Sequence, residues 1–213
     1  MVHVPHEAAA TLVLHYTALQ RTVLLTLARQ ALVNKLLLAQ PLPQAVEQAA
    51  QAAVSAAPTE QQRDLLELRA CFVTLWRRDS GELRGCRGEC SAHQPLAWAT
   101  GYMALAAAED DPRFAAVTAA ELPDLRIELS VLSPLYRIDP SAVVIGKHGL
   151  MIAGGTHGAR RRGLLLPQVA VEHQMTREQF LEAVCWKAGL SLDAWQAADV
   201  TLWAFETESW AER

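Results

Sequence analysis

The chain has 213 residues, 51% of them hydrophobic and 20% charged, with a formal net charge of −4. That length suits one domain with two lobes, the apolar fraction suffices for a packed core, and the negative balance excludes a global basic field for nucleic acid or anionic lipid. Met1 to Ala10 carries no cationic secretory segment, and no run reaches the roughly 18 consecutive apolar residues of a membrane span. The expectation is therefore a cytoplasmic protein, with no membrane or nucleic-acid partner, whose cysteines Cys71, Cys86, Cys90 and Cys185 are reduced thiols.

In chain order, Leu24, Leu27, Ala28, Ala31, Leu32 and Leu38 recur at helical spacings and predict one buried helix face, stopped by Pro41 and Pro43. Gln44 to Ala57 is Ala- and Gln-rich helix material ended by Pro58. Cys71 to Trp76 is aromatic and β-branched, Asp79-Ser80-Gly81 is turn-like, and Glu82 to Cys86 resumes an extended pattern, which predicts a β-hairpin. Leu96 to Ala108 reads as a helix with Leu96, Ala99, Met103 and Ala106 on one side. Leu125, Ile127, Leu129 and Val131 alternate with polar residues, the pattern of a half-buried strand. Ala142 to Ile145 and Leu150 to Ile152 flank Gly146-Lys147-His148-Gly149 and predict a second hairpin. Thr176 caps a helix running to Lys187 and ended by Gly189, and Val200 to Phe205 reads as a last strand. Helices and hairpins are interspersed, so the fold class is α+β, with mainly antiparallel strands and flanking helices.

Among residues that carry chemistry, Cys86 stands out. It lies between Arg84 and Arg87 and is bracketed by Gly85 and Gly88. Neighbouring cations favour a thiolate and make sulfur nucleophilic, and glycines permit close approach of a ligand or of the chain's own backbone. The competing reading is a small buried residue in a tight turn, since free cysteine is commonly buried. Cys86, Cys90 and His93 have a spacing that resembles part of a zinc site, but no second Cys or His pair completes four ligands, so no metal is assigned. His148 ionises near neutrality and is a candidate proton donor or acceptor. Lys147 with Arg160, Arg161 and Arg162, near Gly154, Gly155 and Gly158, forms a basic loop that suits an anion. The Gly-Lys-Ser/Thr ending of a phosphate-binding loop is missing, as is the Gly-x-Ser-x-Gly of a nucleophile elbow. No cofactor is implied.

These residues also carry a resemblance. Leu83-Arg84-Gly85-Cys86-x-Gly88 resembles the Leu-Arg-Gly-Cys-Ile-Gly signature of the AMMECR-type proteins, protein A of the AmmeMemoRadiSam system. Asp111-Pro112-Arg113-Phe114, Glu128 to Ser133, Gly146-Lys147-His148-Gly149-Leu150, Leu165 to Ala170 and Lys187 to Leu190 match in the same order. Arg87 stands where the family usually has Ile, and Glu89 and Cys90 also depart from its pattern. The resemblance implies an N-terminal extension over 1–17 and an AMMECR-type domain over 18–213, with a larger lobe from both chain ends and a smaller lobe inserted within roughly 95–165. It implies Memo-like and radical S-adenosylmethionine proteins as partners, and it assigns no reaction.

Three readings follow. In the first, the chain is a cysteine-dependent enzyme or enzyme-pathway component, with Cys86 as nucleophile or radical/redox relay, His148 as proton donor or acceptor, Arg84 holding an anionic group, and Gly85, Gly88 and Lys147 around the same unknown small ligand. In the second, the same segment is a non-catalytic module that binds a ligand or a protein. In the third it is architectural, with Arg84 paired to an acidic residue such as Glu128.

Overall fold

The computed structural model describes residues 15–154 and 161–213. The expected N-terminal extension up to Leu14, and Gly155, Gly158 and Arg160 of the basic loop, lie outside the described residues. The chain divides into two compact units, one formed by His15–Leu132 with Glu208–Arg213, the other by Ser133–Thr207. The mixture of helices and antiparallel sheets bears out the α+β class.

The first unit opens with α1 (Ala18–Leu36), started by a capping box in which Thr17 and Gln20 satisfy each other's backbone N–H groups. Leu24, Leu27, Ala28, Ala31 and Leu32 form its buried stripe, as the spacing predicts. Leu38 does not join them. The helix ends at Leu36, the N–H groups of Leu37 and Leu38 both fold back on Val33 O, and Leu38 is left exposed. Then come α2 (Leu42–Ala56) and α3 (Thr59–Leu66). The predicted hairpin follows as β1 (Cys71–Arg77) and β2 (Leu83–Gly88). Next is α4 (Leu96–Glu109), whose Leu96, Ala97, Ala99, Thr100, Ala104 and Leu105 are all buried. A helix apolar nearly all round belongs inside a structure, and α4 packs against α1 and α2 as well as against β1 and β2. That is why burial does not keep to the one side its spacing suggests: Met103 and Ala106 of that side are only half-buried.

A 3-10 turn (Ala119–Asp124) leads into β3 (Leu125–Leu132), whose alternating Leu125, Ile127, Leu129 and Val131 are fully buried. The sheet order is β2, β1, β3 and then the last strand, β8 (Thr207–Ala211), which the sequence reading does not predict. Beyond β8, the Glu212 carboxylate accepts from the guanidinium of Arg29 on α1, from Arg78 Nη2 at 3.0 Å, and from the Ile127 N–H at 3.0 Å. One side chain thus ties the chain end to the first helix, the hairpin and the central strand.

The second unit contains β4 (Tyr136–Arg137), β5 (Gly149–Gly154), β6 (Arg161–Leu165), α5 (Pro167–Glu172), α6 (Arg177–Lys187) and β7 (Thr201–Phe205). Its sheet order is β4, β7, β5, β6. Thr176 caps α6 through a capping box with Gln179, as predicted. Phe180, Leu181, Val184 and Cys185 on α6 pack with Leu150, Ile152 and Ala204 from the sheet. The predicted hairpin across Gly146–Gly149 does not form. Asp139 caps a 3-10 turn at Pro140–Ala142, the N–H groups of Lys147 and His148 both donate to Val144 O, and β5 pairs with β6 and β7. Proline and the Asp139 cap wind the segment before β5 into turns, so no strand stands there to pair.

Truncating Glu212 to Ala strands the buried Ile127 N–H and the half-buried Arg29 guanidinium and releases the exposed Arg78, an effect of about 2–3 kcal/mol. The variant is expected to lower the urea midpoint with an unchanged slope. Loss below about 0.5 kcal/mol would show that the chain end is not a structural tie.

Candidate functional site

The Leu-Arg-Gly-Cys segment is the edge strand β2, and strand alternation sorts its side chains onto two faces. Gly85 faces α4. A Cβ built on it would stand 2.1 Å from the Ala107 carbonyl oxygen, so only glycine lets β2 lie this close to the helix. Cys86 and Gly88, paired with Thr74 and Phe72, lie on the opposite face, and the β-bulge opposite Leu75 and Trp76 takes Arg84 out of the alternation. On that side the Phe72 ring lies over Gly88, where a Cβ would meet it at 2.2 Å. Both glycines are therefore filled by the protein's own atoms.

Arg84 is buried, with its side chain 7% exposed. Its Nε and Nη2 donate to the two carboxylate oxygens of Glu121 at 2.7 and 3.3 Å, and Nη1 and Nη2 donate to the carbonyls of Ala115 and Ala116. Four of its five N–H donors are committed inside the chain, and the pairing anchors the 3-10 turn before β3. The acidic partner is Glu121; Glu128 instead accepts from Trp76 Nε1 at 3.2 Å. The Arg84 guanidinium holds Glu121 down to about 2 from 4.5, with the Thr118 backbone and hydroxyl adding to it against the cost of desolvation.

Cys86 is half-buried and free. Its Sγ accepts from Thr74 Oγ1 at 3.3 Å, and its N–H donates to Asp111 Oδ2 at 2.8 Å. Antiparallel register aligns Cys86, Thr74 and Glu128 in one row across β2, β1 and β3. Asp111 follows the end of α4 and is buried beneath Arg113, whose Nε and Nη2 grip its two oxygens at 2.9 and 2.6 Å. The Arg113 hydrogen bond, with the N–H groups of Cys86 and Arg113, keeps the Asp111 carboxyl well below the usual carboxylate range despite burial. Thr74, Asp111 and Arg113 are not among the site residues that the sequence predicts. The available signal was the Asp-x-Arg spacing, in which a short acid two residues before an arginine after a helix end can close on it.

The other three cysteines stand differently. Cys71 and Cys185 are buried, and burial pushes the Cys71 thiol up to about 12 and raises Cys185; Cys90 is half-buried. Among the described residues no group of three or more His, Cys, Asp or Glu side chains is placed to hold a metal ion, and His93 is exposed. Among the described residues, no helix is long and apolar enough to cross a membrane. A cavity of about 430 Å³ between α1 and α2 is lined by Leu27, Gln30, Asn34, Ala49 and their neighbours, none of them from β2.

His148 and Lys147 belong to the second unit, Cys86 and Arg84 to the first. His148 is buried, its Nδ1 accepts from the Val144 N–H at 3.1 Å, and its ring stands edge-on to Tyr136. That bond places the neutral imidazole's proton on Nε2. Lys147 pairs with Glu206 at 3.4 Å, and Arg161 donates to the Gly189 carbonyl.

The AMMECR1 family profile matches residues 26–210. The chain belongs to the AMMECR1 family. A protein of Thermococcus onnurineus is 41% identical over 158 residues, 70% of this chain and 75% of its own length. Protein TK0174 of Thermococcus kodakarensis is 39% identical over 164 residues, 73% and 78% of the two chains. The solved structure of uncharacterized protein PH0010 from Pyrococcus horikoshii superposes with a TM-score of 0.71 at 34% identity, covering 89% of this chain and 90% of that one. In this AMMECR1 member, Arg87 is exposed, so its charge carries no desolvation cost.

Two predictions follow from these pairings. Since Glu121 has its folded pKa depressed, its pairing stabilises the fold fully above pH 4.5 and is lost as pH falls toward about 2. Arg84→Met is expected to cost about 2–3 kcal/mol near neutral pH, with the gap to wild type narrowing across that window. Urea unfolding at several pH values measures this, and a pH-independent gap would contradict it. For His148, burial foremost and the Lys147 charge next lower its pKa from 6.5, opposed by Glu206. Its stabilising bond is thus complete above pH 6.5 and weakens under acid. An NMR titration should give a midpoint below 6.5; one at or above it would remove the acceptor role of Nδ1.

Proposed function

We propose that the chain is an AmmeMemoRadiSam-type protein A that acts through Cys86, as an enzyme or pathway component working with Memo-like and radical S-adenosylmethionine proteins in the cytoplasm. The observation that supports this reading most directly is the setting of the sulfur. Of the four cysteines, Cys71 and Cys185 are sealed and held as thiols by burial, whereas Cys86 is half-buried on an edge strand among a hydroxyl donor and an arginine–carboxylate pair. The Thr74 hydroxyl donates to this sulfur and fixes its place on the strand.

In this reading Arg84 is a positioning residue, since its donors are engaged within the chain. Gly85 and Gly88 set the strand's place, and Cys86 meets the ligand. The alternative, a non-catalytic module for a ligand or protein, draws on the same surface. What favours thiol chemistry over it is that the polar groups of this face converge on the sulfur and on the backbone of the cysteine itself.

The folded protein, treated with iodoacetamide and mapped by peptide mass spectrometry, is expected to be alkylated at Cys86 at least about tenfold faster than at Cys71 or Cys185. Cys86→Ser should fold normally, still bind a Memo-like protein, and lose any activity of the reconstituted pathway. A Cys86 as unreactive as the two buried cysteines would end the thiol reading. Full pathway activity in Cys86→Ser would leave the binding module.

A further inference from the structure

We propose that Arg113 makes the Cys86 site selective for carboxylate-bearing ligands, holding the anion on the open fork of its guanidinium beside the sulfur. The inference rests on the reading that Cys86 is the group that meets the ligand, and it names the class of ligand.

The geometry of the pair carries it. Asp111 occupies one edge of the Arg113 guanidinium, taking Nε on Oδ1 at 2.9 Å and Nη2 on Oδ2 at 2.6 Å. The adjacent edge, formed by Nη1 and the second N–H of Nη2, has no partner among the described residues. Two parallel donors on that edge match a planar carboxylate bidentately. The two halves of the pair are also unequally placed. Asp111 has 3% of its side chain exposed and Arg113 has 55%, so the carboxylate is covered and the cation is presented outward. The bridge to the cysteine is a single atom: Asp111 Oδ2 accepts both from Arg113 Nη2 and from the Cys86 N–H. The guanidinium is thereby held two hydrogen bonds from the cysteine backbone. Its position is stiffened further by the Arg113 N–H, which donates to Asp111 Oδ1 at 3.1 Å, and by the Phe114 ring, whose centroid lies 5.4 Å from the guanidinium carbon.

Arg84 does not compete for this role, since four of its donors are used inside the chain. Arg87 is exposed, but alternation puts it on the opposite side of β2 from Cys86.

The test uses two alkylating reagents of nearly equal size. Both form the same S–C bond at Sγ with loss of iodide; iodoacetate carries a carboxylate and iodoacetamide does not. The ratio of their rates at Cys86, resolved by peptide mapping, is compared with the ratio in the urea-unfolded chain. The folded protein is expected to favour iodoacetate by about fivefold over that reference, the size of one unit-charge contact near 4 Å in water. Arg113→Gln should return the ratio to the unfolded value, Arg113→Lys should recover part of it, and Arg87→Gln should leave it in place. Raising ionic strength from about 0.01 M to about 1 M should also erase it, as the screening length falls from about 30 Å to about 3 Å; this arm uses the wild-type protein and needs no variant to fold. A folded ratio equal to the unfolded one overturns the inference while leaving Cys86 reactive. A raised ratio that survives Arg113→Gln overturns the assignment to Arg113. Failure of both reagents to reach Cys86 removes the underlying reading and this inference with it.

Discussion

The site depends on one close approach, that of the β2 backbone at Gly85 to the Ala107 carbonyl of α4. With no side chain at 85, the edge strand can press onto a helix that is itself buried on most sides. Alternation then fixes the residues that follow: if residue 85 faces the helix, residue 86 faces away from it, whereas Arg84 stands in the β-bulge opposite Leu75 and Trp76. The apolar side chains of β1 and β3 obey the same constraint, with Val73, Leu75, Ile127 and Leu129 all turned toward the helices. Thr74 and Glu128 take the other side, in register with Cys86. The polar row around the thiol is thus a consequence of how the core is filled.

The two arginines near this row do opposite jobs, and their neighbours explain why. Arg84 points into a region where a 3-10 turn presents Glu121 and where two backbone carbonyls lack helical or sheet partners. A fork-shaped cation with five donors answers all of these at once, and its burial makes breaking the pair costly. Arg113 sits beyond the end of α4, where the chain is wet, and its carboxylate partner is the buried member. One arginine is spent on holding the turn; the other is held in place and keeps donors to offer.

Much of the fold is legible wherever the local signal and the packing agree. The Thr176 cap, the β1–β2 hairpin and the alternation of β3 are short-range patterns, and the structure follows each of them. Where partners distant in sequence decide, the reading falls short. The apolar residues around 142–145 look like one arm of a hairpin, yet Asp139 and Pro140 wind that stretch into turns and β5 finds its partners downstream. β8 is short and polar on its outer side, and only the strand beside it makes it a strand. Cys86 is identifiable from its own neighbours in sequence. Thr74, 12 residues away, and Asp111, 25 residues away, join it only through the sheet and the end of α4.

Arg87 shows how misleading adjacency in sequence is for the electrostatics of a strand. It is next to the thiol in the chain, and with Arg84 it supplies the cations that the sequence places beside the sulfur. Yet it lies across the strand from the sulfur and is exposed, where solvent screens its charge. Arg113 is 27 positions beyond Cys86, and a buried carboxylate bridges it to the cysteine backbone. Residue 87 can therefore carry a charge without touching the contacts that Thr74 and Asp111 make with Cys86.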